Sequence, residues 1–212
     1  RSSSDGAVSL TGATVSTGAN VTTTQDLISF TGDTTLTGNV ALSTGAGAGD
    51  TTFHNKLDAA VAQTLGLTAG TGVITFTGAV GSGTPLGAIT INSAGGLNAA
   101  AVSAASLVGT TMTGNVSLTG AQVYTAAAGL NLVTTTGTIT LANAATVTTS
   151  GGGIVTSNAN GALTLGTGAI SSDGAVSLTG STVSTGANVT TTQDLDRKST
   201  RLNSSHVSES RM

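Results

Sequence analysis

The chain has no cysteine and no tryptophan, and only one proline, one tyrosine and three phenylalanines in 212 residues. Without cysteine, neither a disulfide scaffold nor a thiolate zinc site can form. Proline is nearly absent and glycine follows no strict three-residue period, which excludes collagen. Aromatic residues make up 2%, so a bulky globular core has little to be built from. Charged residues make up 7%, against about 25% in an ordinary soluble domain. That is too little for charge-driven disorder, and the abundant Val, Ile and Thr favour strands. The net charge of -3 argues against nucleic acid as a partner, because phosphate binding needs clustered Lys and Arg. No apolar run approaches the roughly 20 residues that cross a bilayer, so no membrane insertion is expected in this segment.

What is present is small and repetitive. There are 31 glycines, and the 38% of hydrophobic residues are nearly all Val, Ala, Leu and Ile. Thr fills roughly one position in five, several times its usual share. Residues 3–27 read SSDGAVSLTGATVSTGANVTTTQDL, and residues 171–195 repeat this string with one change, Ala13 against Ser181. Asp5 recurs as Asp173, so the offset in sequence number is 168. The chain opens mid-pattern, with no Met and no signal-peptide pattern. It is therefore expected to be a fragment of a longer repeat array.

After Leu195 the pattern stops. Residues 196–212 hold four of the six basic residues, Arg197, Lys198, Arg201 and Arg211. The string DRKSTRLNSSH closely resembles the conceptual translation of a common sequencing adapter, and VSESRM resembles a sample index running into it. Residues 1–195 are read as one repeat segment, and residues 196–212 as a non-native tail excluded from fold reasoning. Without the tail, Arg1 and Lys56 face seven aspartates, a net charge of -5.

A shorter motif runs through residues 1–195: Gly, any residue, apolar, any residue, apolar. Examples start at Gly6, Gly38, Gly72, Gly87, Gly114, Gly137, Gly161 and Gly174. Alternation with period two puts the apolar pair on one face of a strand and Ser or Thr on the other. A strand with two or three inward side chains is too short to persist alone in water. Stacking such strands into coils solves that problem. The steps from Gly114 to Gly137 and on to Gly161, 23 and 24 in sequence number, fit one coil each, while other gaps are irregular. The expected fold is all-β, a right-handed parallel β-helix (β-solenoid) of about eight coils at about 4.8 Å per coil. Small aliphatic residues would fill an interior too narrow for Tyr or Trp, and Thr is tolerated outside because a β-branched side chain suits a pleated surface. Asn39, Asn115 and Asn143 are candidates for capping corners, or are ordinary solvated turns. Residues 53–65 carry Leu57, Val61 and Leu65 at helical spacing, but register against residues 76–91 favours strand, loop, strand. Residues 99–106 are open to both readings.

Chemistry-bearing residues are sparse. His54 is a lone histidine, since His206 lies in the tail, and one unpartnered imidazole makes no catalytic triad. Asp5, Asp26, Asp33, Asp50, Asp58, Asp173 and Asp194 form no local pair. A polysaccharide-cleaving β-helix would need acidic clusters with Lys or Arg beside them. Gly45 to Asp50 is a poor match to calcium-binding repeats, and Gly151 to Gly153 lack the Lys of a phosphate loop. No catalytic, metal or cofactor site is expected, and the chain is not expected to be an enzyme. The runs Thr22 to Thr24, Thr134 to Thr136 and Thr190 to Thr192 suggest an ice-binding face. That face needs even coil spacing, so a solvated strand surface is the better explanation.

The strings GNVSLTGA, GVITFTGAVGSGTPLGAITINSAGG and GAVSLTGATVSTGANVTTT resemble very large bacterial β-strand-repeat surface proteins. These are the filamentous-haemagglutinin-like and autotransporter-type adhesins, and the resemblance spans residues 1–195. It implies export to the bacterial outer surface, which a cysteine-free chain suits, and a long stalk carrying adhesive contacts. The expected partners are a host or abiotic surface, carbohydrate among them, and neighbouring repeats of the same chain. The alternatives are a carbohydrate-active β-helix enzyme and an ice-binding solenoid.

Overall fold

A computed structural model describes residues 2–192, 195–199 and 202–204, with side chains over residues 3–192. Among these residues there is no helix, and the parallel strands stack as a β-solenoid. Short strands occur because many apolar pairs are cut off by a Gly-containing corner, while Gln25 and Ala144 take positive φ in corners that hold no Gly. Each coil crosses three rows of strands. One coil runs through Leu130–Thr134, Ile139–Leu141 and Val147–Thr149, in the first, second and third rows. The next runs through Val155–Ala159, Leu163–Leu165 and Ile170–Ser172, each parallel to the strand below it.

The second row gives the clearest register. Its inward column is Val8, Ile28, Thr51, Ile74, Leu97, Val116, Ile139, Leu163 and Val183, and Leu202 continues the pairing. The steps in sequence number between successive partners are 20, 23, 23, 23, 19, 23, 24, 20 and 19. The expected 23 or 24 holds for part of the rod only. Tighter corners shorten the other coils, and the solenoid has the expected number of turns, about eight. The third row passes through Val15, Thr34, Leu57, Val80, Val102, Gln122, Val147, Ile170 and Val189.

One continuous core runs along the axis. Phe30, Phe53 and Phe76 occupy one column, with ring centroids 4.7 and 5.4 Å apart and planes 6° and 16° from parallel. Coil spacing sets that stack, since equivalent residues of parallel rungs sit about 4.8 Å apart. Gly32 shows how tightly coils meet. Its φ is 122°, and a Cβ there would lie 1.8 Å from the Gly12 carbonyl oxygen.

One expectation about the interior needs correction. Tyr124 is not too large for it; the side chain is fully buried beside Gln122. Room exists because its lower neighbour in the column is Ala104. Its hydroxyl donates to Gln122 Oε1 at 2.8 Å, and Gln122 Nε2 donates to the carbonyls of Ala100 and Gly120. Burial raises the Tyr124 phenol above its ordinary pKa. Thr, tolerated outside, also occurs inside. Thr23, Thr44, Thr134 and Thr149 are buried, and each donates to a carbonyl in the following corner. A β-branched hydroxyl fills aliphatic space and also satisfies a turn carbonyl.

Residues 53–65 are not helical, but they hold one strand more than the strand, loop, strand reading: Leu57–Ala59 lies between Thr51–Phe53 and Leu65–Thr68. Val61 stands out at 61% exposed, which a buried helical stripe would not allow. Residues 99–106 enter the strands Gly96–Ala99 and Val102–Met112. At the far end, the backbone of Leu195–Ser199 and Leu202–Ser204 stacks on Val176–Gly180 and Val183–Thr185. The remainder of residues 196–212, His206 included, lies outside the described residues.

Candidate functional surface

The outward residue at the centre of each second-row strand forms a single file. In order it is Ser9, Ser29, Thr52, Thr75, Asn98, Ser117, Thr140, Thr164 and Ser184. Every rung contributes a hydroxyl except that of Asn98. Only Ser29 is covered; the others are half-buried or exposed. Uneven loop lengths do not disturb the file, because register is set by the strands and the corners absorb the difference. The motif reveals the residue between each apolar pair, but not that these residues line up. That alignment is a property of the coil register, which the sequence does not print.

A second file flanks the first, two residues further along each strand. It reads Thr11, Thr31, His54, Thr77, Ala100, Thr119, Ala142, Gly166 and Gly186. Backbone donation to the coil below persists at His54, Thr77, Ala100 and Thr119, which keeps these residues in line. Hydroxyls fail at five of the nine positions. The face is therefore a line of hydroxyls, not a two-column lattice.

Corners are tied from coil to coil. Asn39 Oδ1 accepts from Thr64 N at 2.9 Å, and Asn115 Oδ1 from Thr138 N at 3.0 Å. Both asparagines therefore cap corners, but those of the next coil and not their own. Asn20 and Asp50 do the same for Ala41 N and Val73 N. Asn143 is exposed in its turn. In the run Thr134 to Thr136 the first hydroxyl turns inward to the Gly137 carbonyl. The other two donate to the carbonyls of Met112 and Thr113 in the coil below.

The titratable side chains serve backbone and surface. His54 is exposed, beside Thr52. Lys56 Nζ lies 3.7 Å from Asp33 Oδ2 and 3.7 Å from Asp58 Oδ2, near the surface. Such pairs are worth about 0 to 1 kcal/mol. Asp58 also accepts from Gly83 N, and Asp173 from Gly152 N. Asp5 is exposed and Asp26 half-buried, while Asp194 lies outside the described residues. Among the described residues no three His, Asp or Glu side chains gather as metal ligands. No helix among them is long and apolar enough to cross a membrane. Residues 45–50 form a turn in which Gly45 has φ 80° and Thr44 caps the Gly49 carbonyl. Gly151 and Gly152 also take positive φ in a turn.

A shallow open groove follows the corner near Val73, Gly96, Asn98, Asn115 and Thr136. Its glycine floor answers to coil stacking, since a Cβ on Gly114 would lie 1.8 Å from the Gly95 carbonyl oxygen. Comparison with known proteins finds no matching family model, no matching curated protein and no matching solved structure.

Proposed function

We propose that the chain is a structural and adhesive segment of a bacterial surface protein, a stiff spacer that carries many weak contacts. The resemblance to large β-strand-repeat adhesins supports this reading, and with it export to the outer surface. The observation that carries it is the file from Ser9 to Ser184, one polar group per rung with no charge in the line. Hydroxyls at about 4.8 Å intervals suit hydrogen bonding along an extended partner such as a polysaccharide. Each contact is weak, and repetition converts weak contacts into firm attachment. The broken flanking file weighs against ice, whose surface would meet two matched columns.

The test is a bead assay with the full chain coupled at graded densities and presented to polysaccharide-coated, plastic and mineral surfaces. Attachment should rise steeply with density on at least one surface. Two adjacent members of the file are then replaced together. Ser117→Asp with Thr140→Asp should weaken attachment several-fold while the circular dichroism stays that of the parent. Density-independent attachment, or none on any surface, contradicts the proposal. Cleavage of a polysaccharide, or thermal hysteresis in ice, would establish one of the alternatives instead.

A further inference from the structure

The two copies of the repeated string do not occupy the same faces. In the first copy Val8 and Leu10 lie in the second row, Val15 in the third and Val21 in the first. In the second copy Val176 and Leu178 lie in the first row, Val183 in the second and Val189 in the third. Each residue has moved back by one face. The step from Val8 to Val176 therefore spans seven full coils and two faces of the next.

The copies also differ in burial. Val176, Leu178 and Val183 are 0%, 2% and 4% exposed. Their equivalents Val8, Leu10 and Val15 are only partly buried, and among the described residues their strand pairs on one side only, with Ile28, Phe30 and Thr34 of the next coil. In the second copy these side chains rest on Val155, Ser157 and Leu163. The chain thus contains both an open seat and, elsewhere, the coil that fits an almost identical seat.

We infer that the open face of the first coil is a docking surface for residues 147–170 of a second copy of the repeat unit, joined in tandem ahead of this one. Val8 sits on that copy's Val155 and Val15 on its Leu163, in the register seen within the chain. The preceding unit is then turned by one third of a revolution. Three successive units return to the starting face, and each advances the rod by about 37 Å at about 4.8 Å per coil. Any group displayed by the unit consequently spirals round the rod and faces three directions. The inference rests on the duplication and its burial, and stands whether or not the rod is adhesive.

The experiment extends the full chain with an additional copy of residues 3–170 placed before Ser3. Thr156→Cys in the added copy and Ser9→Cys in the original should form a disulfide on mild oxidation, since facing rungs meet the Cα separation a disulfide needs. A cysteine at the added copy's Thr164 instead tests a junction without rotation, and should not cross-link with Ser9→Cys. Hydrogen exchange on the extended chain without cysteines is the second measurement. Amides of residues 8–17 should exchange at least about tenfold more slowly than in the parent chain. Cross-linking through Thr164, or exchange unchanged from the parent, overturns the inference.

Discussion

The Thr51 hydroxyl points into the core between Ile28 and Ile74 and has no hydrogen-bond partner. A buried hydroxyl without a partner costs about 1 to 3 kcal/mol. Thr51→Val keeps the shape and removes the cost, so the urea midpoint should rise by an amount equivalent to about 1 kcal/mol. Tyr124 is the opposite case, because its hydroxyl is satisfied by Gln122. Tyr124→Phe leaves Gln122 Oε1 without its donor and should destabilise by about 1 kcal/mol at neutral pH. The same residue sets an alkaline limit. Burial raises its folded pKa, so above about pH 10 the unfolded chain loses the proton first. The unfolded state then binds fewer protons, and stability falls as pH rises, by up to about 1.4 kcal/mol per pH unit. Below about pH 10 the contribution is fully present. Alkaline urea titrations should show this slope in the parent and lose it in Tyr124→Phe, while tyrosinate absorbance in the parent should appear only with unfolding.

Strands depend on their neighbours above and below. Phe53 is the middle ring of its stack, and Phe53→Ala should cost about 3 to 5 kcal/mol. Hydrogen exchange should show the loss centred on the rungs of Phe30, Phe53 and Phe76, with distant coils little changed, because a solenoid's stability is summed from neighbour to neighbour. Corners are weaker ties. Asn39→Ala removes the acceptor for Thr64 N and should cost about 1 kcal/mol, with faster amide exchange at Thr64. The strands themselves were legible, since all eight Gly-led apolar pairs lie on inward positions of strands. Polar inward positions were not. Gln122 and Tyr124 read as a polar pair around Val123, and Thr44 or Thr149 looks like any outward Thr. What places them inside is a local hydrogen-bond partner, a carbonyl or a side chain, that appears only once the coil has closed.

For the whole molecule, coil stacking follows from the sequence, but row assignment does not. The motif at Gly38 starts the first-row strand Val40–Ser43, whereas the same motif at Gly114 starts the second-row strand Val116–Leu118. Corner length decides between them, and corners vary. The repeated string makes the point most sharply, because Ala13 against Ser181 is its only change and its face still shifts. The hydroxyl file was hidden for the same reason, as loop-length differences disguise an alignment that strand register restores.

Rung number, not sequence distance, sets position along the rod. Spin labels at Ser9 and Ser184, eight rungs apart, should report a separation of about 38 Å at about 4.8 Å per rung. Labels at Thr75 and Ser184, five rungs apart, should report about 24 Å on the same scale. A linear rise with rung count across further pairs in the file is the predicted result. Separations that do not scale with rung count, or that fold back on themselves as in a compact sandwich, would contradict it.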